Sequence, residues 1–193
     1  MSAKIQILEA ALHLFTEKGF GATTVSAIRQ EAQVSNGSFF HAFSSKDELG
    51  AELYLRTLNS YHDTMIAPLS HPIEAKEGIE LMIRAHLSWV VEEKAQARFL
   101  FDQTQSSWLE PIRDRQQEAN DRLQRTVSEW IKPLAKSGVL VPMPASIFMA
   151  QLIGPAQIIC RAWLSGRSRS DPHNNADLLV TAAQRALVLD YTT

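Results

Sequence analysis

The residues that could support catalysis are scattered along this chain of 193 residues. Its six histidines show no i,i+4 pair and no His-Glu-x-x-His motif. Neither a Gly-x-Ser-x-Gly motif nor a phosphate-binding loop is present. The single cysteine, Cys160, cannot form a disulfide framework or a cysteine-based zinc site. We therefore expect no enzyme, no metal site and no cofactor.

A different set of polar residues could make hydrogen bonds to DNA. Asn36, Gly37 and Ser38 follow Ser35, which can cap a short helix. Small residues at the start of a helix suit entry into a major groove about 12 Å wide. The free amide groups at such a start also suit phosphate. Two residues at neighbouring helix starts would flank the groove, namely Thr24 and Lys46.

Helices are the only elements that the sequence predicts to position these residues. Apolar residues repeat at helical spacing from Ile5 to Phe15, and no window alternates long enough for a strand. A second short helix and a third, ending near Phe43, are joined by a turn at Gln33 and Val34. That arrangement is a helix-turn-helix. Longer helices follow residue 45, so the fold class is all-α with about nine helices.

The first 50 residues resemble the DNA-binding region of the TetR family of bacterial transcriptional repressors. The matching runs are residues 7–11 with residues 14–20, residues 22–28, and the segment Val34-Ser35-Asn36-Gly37-Ser38-Phe39-Phe40-His41-Ala42-Phe43-Ser44-Ser45-Lys46-Asp47-Glu48-Leu49. The resemblance implies a homodimer whose helix-turn-helix, residues 1–45, binds double-stranded operator DNA. It also implies a larger helical domain, residues 46–193, that holds a small-molecule effector and the dimer interface.

Three residues of the helix-turn-helix depart from the family pattern. Gln33 replaces the usual glycine of the turn, at a cost of about 1 kcal/mol if this residue is left-handed. Phe40 and Ala42 replace residues that usually donate to phosphate, and His41 could compensate. The expected DNA contacts are therefore Thr24, Ser35, Asn36, Gly37, Ser38, Phe40, His41 and Lys46.

Charge gives the DNA-binding interpretation no support. The whole chain has a formal net charge of -2, and residues 1–50 contain four Lys or Arg against five Asp or Glu. DNA-binding domains are usually more basic. Either the positive side chains converge on one face, or backbone amides and helix ends carry much of the phosphate contact, and we expect weak non-specific binding.

The second half of the chain is rich in aromatic and polarisable side chains. Helical bundles place ligand sites between their helices, so an apolar effector pocket is one interpretation. The alternative is that the same side chains form the bundle core. The candidate effector residues are Met82, His86, Trp89, Phe99, Gln105, Trp108, Arg113, Met149 and Gln157.

The two C-terminal helices carry apolar residues at spacings of three and four. These stripes could close a four-helix bundle about a two-fold axis. They could instead pack inward in a monomer. The candidate interface residues are Ala156, Ile159, Trp163, Leu179, Ala182, Ala183 and Ala186.

Residues 137–160 carry no charge and are long enough to span a bilayer. Three prolines and several polar residues favour a buried helix over a membrane span, and no signal peptide is recognisable. We expect a cytoplasmic protein with no membrane partner.

The sequence favours a ligand-responsive regulator that binds a palindromic operator as a homodimer and is released by a small, largely apolar effector. Two alternatives stay open. One is a helical bundle that binds a lipophilic ligand or a partner protein without binding DNA, and the other is a small all-α enzyme.

Overall fold

The computed structural model describes residues 2–189, and within that range the chain is helical without a named strand. The α-helices are α1 (Ala3–Lys18), α2 (Val25–Glu31), α3 (Asn36–Ala42), α4 (Lys46–Ile66), α5 (Ala75–Glu92), α6 (Lys94–Asp102), α7 (Arg113–Lys136), α8 (Ala145–Leu164) and α9 (Ala176–Leu187). Short 3-10 helices occupy Ala67–Ser70, Ser107–Ile112 and Pro172–Asn175. The described residues thus confirm the all-α fold class.

Local capping sets the bounds of the first three helices. The side chains of Ser2, Thr24 and Ser35 accept hydrogen bonds from the first turns of α1, α2 and α3. Gly19 ends α1 with φ of 82°, a conformation that favours glycine. Helices α2 and α3 both pack against α1, and the buried side chains of the three helices include Ile7, Ile28 and Phe39.

The turn between α2 and α3 is strained at one residue. Gln33 has φ of 54°, and among non-glycine residues 2–189 it alone has a positive φ. The residue is therefore left-handed, and glutamine costs about 1 kcal/mol there relative to glycine. The amide of Val34 donates to the carbonyl of Arg29 at 3.0 Å, which closes the turn.

The chain folds into two compact units, and their limits differ from the expected division at residue 45. The first unit comprises the chain up to Asn59 together with Ala95–Gln117. The second comprises Ser60–Lys94 and the residues from Glu118 onward. Both α4 and α7 therefore contribute residues to both units.

An aromatic cluster explains why residues 95–117 belong to the first unit. The ring of Phe20, in the turn after α1, stacks on Trp108 with centroids 4.6 Å apart. Phe15 of α1 stacks on Phe99 of α6 at 5.8 Å, and Tyr54 of α4 meets both Phe99 and Trp108 at 6.5 Å. Such ring pairs add stability beyond the burial of their area.

In the second unit, α5 packs against both α8 and α9. Its apolar stripe, Ile79, Met82, Ile83 and Leu87, is fully buried. Gly78 of α5 lies directly against the indole of Trp130 on α7, where a β-carbon would overlap the ring. An isolated antiparallel bridge joins Leu140 to Val188.

Helix α8 is the one helix within residues 2–189 that is long and apolar enough to cross a membrane by length and composition. It runs without interruption through Pro155. Of that apolar window 33% is buried within the chain, and the exposed large apolar residues of α8 are Ile147 and Ile158.

Candidate functional site

The exposed surface of α3 is made of small, polar and aromatic side chains. Asn36, Gly37, Phe40 and His41 are exposed, whereas Phe39 is fully buried. The ring of Phe40 is 50% exposed and meets Phe39 edge to face, with centroids 5.3 Å apart. Exposed residues spaced by three and four lie on one side of a helix. The helix therefore presents a polar and aromatic surface on the side opposite its core contact.

Two of the predicted DNA contacts, Thr24 and Ser35, also cap their own helices. The hydroxyl of Thr24 accepts from the amide of Ala27 at 3.1 Å. The hydroxyl of Ser35 accepts from the amide of Ser38 at 3.0 Å and lies 2.9 Å from the hydroxyl of Ser38. Both caps are exposed, so a hydroxyl that accepts from the helix keeps its own proton for another acceptor.

Lys46, which the sequence predicts to contact a phosphate, makes hydrogen bonds within the chain. Its ammonium donates to the carbonyls of Phe20 at 2.8 Å and Thr23 at 2.9 Å. It also lies 4.5 Å from the centroid of the Phe20 ring, within cation–π range. Two of the three ammonium donors are thus used to hold the α1–α2 turn against the start of α4. The partners lie 23 and 26 residues away, which is why local sequence patterns did not reveal them.

The start of α4 adds negative charge beside Lys46. Glu48 accepts from the Ser44 hydroxyl at 2.5 Å and from the Ser44 amide at 2.7 Å. These hydrogen bonds lower the pKa of the Glu48 carboxyl below its ordinary value. A cleft of about 470 Å³ opens next to this turn. It is lined by Trp108 and by the carboxylates of Asp47, Glu48, Glu52 and Glu110.

Three of the predicted effector residues lie together in the second unit. Met82, His86 and Trp89 are all buried on α5. The hydroxyl of Tyr61 lies 2.9 Å from Nδ1 of His86, and the Tyr61 ring packs on Trp89 with centroids 4.8 Å apart. Sequence reasoning missed Tyr61, because it is 25 residues from His86 in the chain.

Burial keeps this group of side chains uncharged. Desolvation lowers the pKa of His86 to about 4 and raises the pKa of Tyr61 above its ordinary value. Burial also lowers the pKa of His62, whose Nδ1 is buried without a hydrogen-bond partner. Desolvation raises the pKa of the Cys160 thiol to about 12, so the thiol is not a reactive nucleophile. The arrangement offers neutral hydrogen-bonding groups in apolar surroundings.

The remaining predicted effector residues are distributed over both units. Phe99 and Trp108 belong to the aromatic cluster of the first unit, where Gln105 and Arg113 are exposed. The guanidinium of Arg113 pairs with Glu110 on the same surface. Met149 and Gln157 are partly exposed on α8 in the second unit.

The predicted dimer stripe is partly covered within the chain. Ala156 is 0% exposed and Ala183 is 6% exposed. These two residues offer almost no exposed surface in the single chain, and their place in an interface stays a prediction. Of the other predicted residues, Ile159, Trp163 and Leu179 are partly exposed and Ala182 and Ala186 are exposed. The largest exposed apolar side chains of these two helices are Ile147, Ile158 and Leu178.

Residues 7–53, which contain the helix-turn-helix, match the sequence profile of the family described as bacterial regulatory proteins, tetR family. The HTH-type transcriptional repressor KstR2 of Mycobacterium tuberculosis is 32% identical over 123 residues, which is 60% of this chain and 61% of that protein. The HTH-type transcriptional regulator HbdR of Aromatoleum sp. is 26% identical over 155 residues, 77% of this chain and 64% of HbdR. The chain thus spans about three fifths of the length of these curated relatives.

Solved structures share the fold over nearly the whole chain. A tetR family transcription regulator from Shewanella sp. PV-4 has a TM-score of 0.75 at 24% identity, covering 98% of this chain and 100% of its own. The regulator FadR from Bacillus subtilis, solved in complex with stearoyl-CoA, has a TM-score of 0.79 at 18% identity, covering 94% and 98%. The observed helical architecture is therefore one that solved regulators also adopt.

Proposed function

Since residues 7–53 match the tetR family of bacterial regulatory proteins and the curated relatives are transcriptional regulators, we propose that the chain is a ligand-responsive transcriptional repressor and not an enzyme. In this proposal a homodimer binds a palindromic operator through two α3 helices. A small, largely apolar effector bound in the second unit then releases the DNA.

The exposed surface of α3 is the observation that carries the DNA-binding part of the proposal. Helix α3 exposes Asn36, Phe40 and His41 and buries Phe39. The buried ring anchors the helix, and the exposed side chains are free to read base edges. Hydrogen bonds and apolar contacts to base edges specify a sequence, whereas phosphate contacts mainly position the protein. Residues 1–50 contain fewer Lys and Arg than Asp and Glu. Specific contacts to DNA are therefore more important here than in a basic domain.

The exposed apolar residues of α8 and α9 support the homodimer. Ile158 is 71% exposed and Leu178 is 73% exposed, although α8 and α9 pack against each other within the second unit. Exposed apolar patches are typical of protein contact sites. A two-fold interface would cover the same surface on both copies and would place two α3 helices about one DNA turn, roughly 34–36 Å, apart.

The neutral Tyr61–His86 pair supports an effector that is apolar with one or two hydrogen-bonding groups. Buried polar groups of this kind fix the orientation of a ligand within apolar walls, which Met82 and Trp89 would supply. The solved Bacillus subtilis regulator was obtained with stearoyl-CoA, a compound with a long apolar chain. We infer that long-chain acyl compounds are a suitable first class to screen.

A mobility-shift assay with genomic DNA fragments at two salt concentrations tests the proposed function. Specific fragments should be retained at the higher salt while random fragments are lost, because non-specific binding depends more fully on phosphate charge. Addition of stearoyl-CoA, whose acyl chain is the apolar part that the second unit would hold, should release the retained fragments. If the dimeric protein retains no fragment at either salt, the DNA-binding proposal is wrong and a ligand-binding bundle without DNA becomes the better interpretation.

A further inference from the structure

We propose that α3 reads A·T base pairs, with the amide of Asn36 on an adenine and the ring of Phe40 against the methyl group of a neighbouring thymine. The inference rests on the proposed function and specifies the DNA sequence that this surface recognises. It is carried by the chemistry and exposure of the α3 side chains.

Helix α3 lacks the side chains that make the commonest contact to guanine. Its seven residues, Asn36–Ala42, include no Lys and no Arg. Those two residues bind guanine O6 and N7 in the major groove, and no other residue type does so as often. The nearest cation in the chain after α3, Lys46, uses two of its donors on the carbonyls of Phe20 and Thr23. A guanine-rich half-site would therefore meet little complementary chemistry on this helix.

Asn36 has the chemistry for adenine. Its amide offers one donor group and one acceptor, which match N7 and the N6 amino group of adenine in a bidentate pair. The residue is exposed in the first turn of α3. Its backbone is fixed by the Ser35 cap, whose hydroxyl accepts from the Ser38 amide at 3.0 Å. A rigid backbone lets a short side chain discriminate between base edges.

Phe40 presents an apolar ring one helical turn beyond Asn36. Half of its surface is exposed, and its edge-to-face contact with buried Phe39 fixes the position of the ring. Among groups in the major groove, the thymine methyl is the one that an apolar side chain recognises. Because residues four apart lie on the same side of a helix, Asn36 and Phe40 would reach neighbouring base pairs.

Gly37 leaves the space that this contact requires. A β-carbon at Gly37 would meet one neighbouring atom, the Ser35 hydroxyl oxygen at 3.8 Å, so the surface beside Phe40 is open. A base edge can therefore approach the backbone of α3 between the amide and the ring. His41 is exposed next to Phe40 and could donate to guanine instead, which is the outcome that the experiment must separate.

The test begins with selection of bound sequences from a random DNA library by the full-length protein. The selected half-site should contain at least two adjacent A·T pairs, and replacing the contacted adenine pair with G·C should weaken binding by about 5- to 150-fold. Replacing the neighbouring thymine with deoxyuridine removes only the methyl group and should weaken binding by about three- to fivefold. Replacing the adenine with 7-deazaadenine, which lacks the N7 acceptor, should also weaken binding.

Variants assign each effect to its side chain. Phe40→Ala should lose the sensitivity to deoxyuridine, while Phe40→Tyr, which keeps the ring, should retain it. Asn36→Ala should lose the sensitivity to 7-deazaadenine and retain the sensitivity to deoxyuridine. Both residues are exposed, so thermal melting should show that the variants fold like the parent protein.

Two results would overturn the inference while leaving the proposed function intact. One is a selected half-site whose base discrimination lies in G·C pairs and disappears in His41→Ala. The other is an A·T half-site whose deoxyuridine sensitivity persists unchanged in Phe40→Ala. Failure to select any sequence with the folded dimer would instead contradict the proposed function itself.

Discussion

Gly37 lies at an exposed position of α3 where a larger side chain has room in the free protein. A β-carbon there touches one atom at ordinary van der Waals distance. Gly37→Leu should therefore leave the melting temperature unchanged or raise it, because leucine favours a helix more than glycine by up to about 1 kcal/mol. The same substitution should lower operator affinity at least about tenfold, since the added side chain blocks approach to the groove. Equal affinity of the variant and parent in fluorescence anisotropy would argue against α3 as the recognition helix.

Lys46 has two consequences that can be measured separately. Its hydrogen bonds to two carbonyls predict that Lys46→Met lowers the free energy of unfolding by about 1–3 kcal/mol in urea titrations. A remaining phosphate contact predicts weaker binding to all DNA sequences and a salt slope reduced by about 1. A variant with parental stability would show that the hydrogen bonds to Phe20 and Thr23 contribute little. A variant with parental affinity would remove Lys46 from the DNA contacts.

His86 makes stability depend on pH. Its pKa is lowered by burial to about 4, whereas an exposed histidine has an ordinary value of 6.5. Between these two values the unfolded chain binds the proton and the folded protein does not, so stability is lost as the pH falls from 6.5 toward 4. Between pH 7 and pH 5 this loss should be about 2 kcal/mol.

The matched variant for that measurement is His86→Gln, which keeps a hydrogen-bond acceptor for Tyr61. Other groups, including His62, whose pKa is also lowered by burial, titrate in both proteins and cancel in the difference. Urea titrations at pH 7 and pH 5 should show a smaller loss of stability for the variant. Equal losses in the two proteins would mean that His86 is protonated in the folded state at pH 5.

At the scale of the elements, capping and close helix contact determine the architecture. The sequence predicted the starts of α2 and α3 well, because each cap depends on residues within three positions of it. It placed the turn at Gln33, and the structure shows that this residue is left-handed. It did not predict the pairing of Tyr61 with His86 or the grouping of residues 95–117 with the first helices, because these contacts join distant segments.

Two glycines within helices of the second unit should respond oppositely to alanine. Gly78 lies against the indole of Trp130, so Gly78→Ala should force α5 and α7 apart and lower the melting temperature. A β-carbon at Gly154 of α8 would have no neighbouring atom within 4 Å, so Gly154→Ala should stabilise the folded chain by up to about 1 kcal/mol. Similar melting temperatures for the two variants would contradict the observed contact between α5 and α7.

At the scale of the whole molecule, the dimer depends on which side of α8 and α9 is exposed. Helical spacing identified apolar residues along both helices. It could not show which side of each helix packs against the rest of the same chain. The structure covers Ala156 and Ala183 and exposes Ile158 and Leu178. The proposed interface therefore uses a different side of the two helices from the one that includes Ala183.

Two charge substitutions separate the fold from the assembly. Leu178→Glu places a charge on the exposed surface and should convert a dimer to a folded monomer in sedimentation. Ala183→Glu places an unpaired charge among buried residues and should unfold the second unit, because such a charge is costly to bury. A Leu178→Glu protein that remains dimeric would show that α8 and α9 do not close the interface.

The most direct test of DNA reading by a dimer is sequencing of genomic fragments retained by the folded, full-length protein. A dimer with two α3 helices should enrich an inverted repeat whose half-site centres lie about one DNA turn apart, roughly 10–10.5 base pairs, or a multiple of that spacing. The same fragments should not be enriched by Gly37→Leu. Fragments without a shared repeat, or equal enrichment by Gly37→Leu, would contradict the claim that a dimer reads DNA through α3.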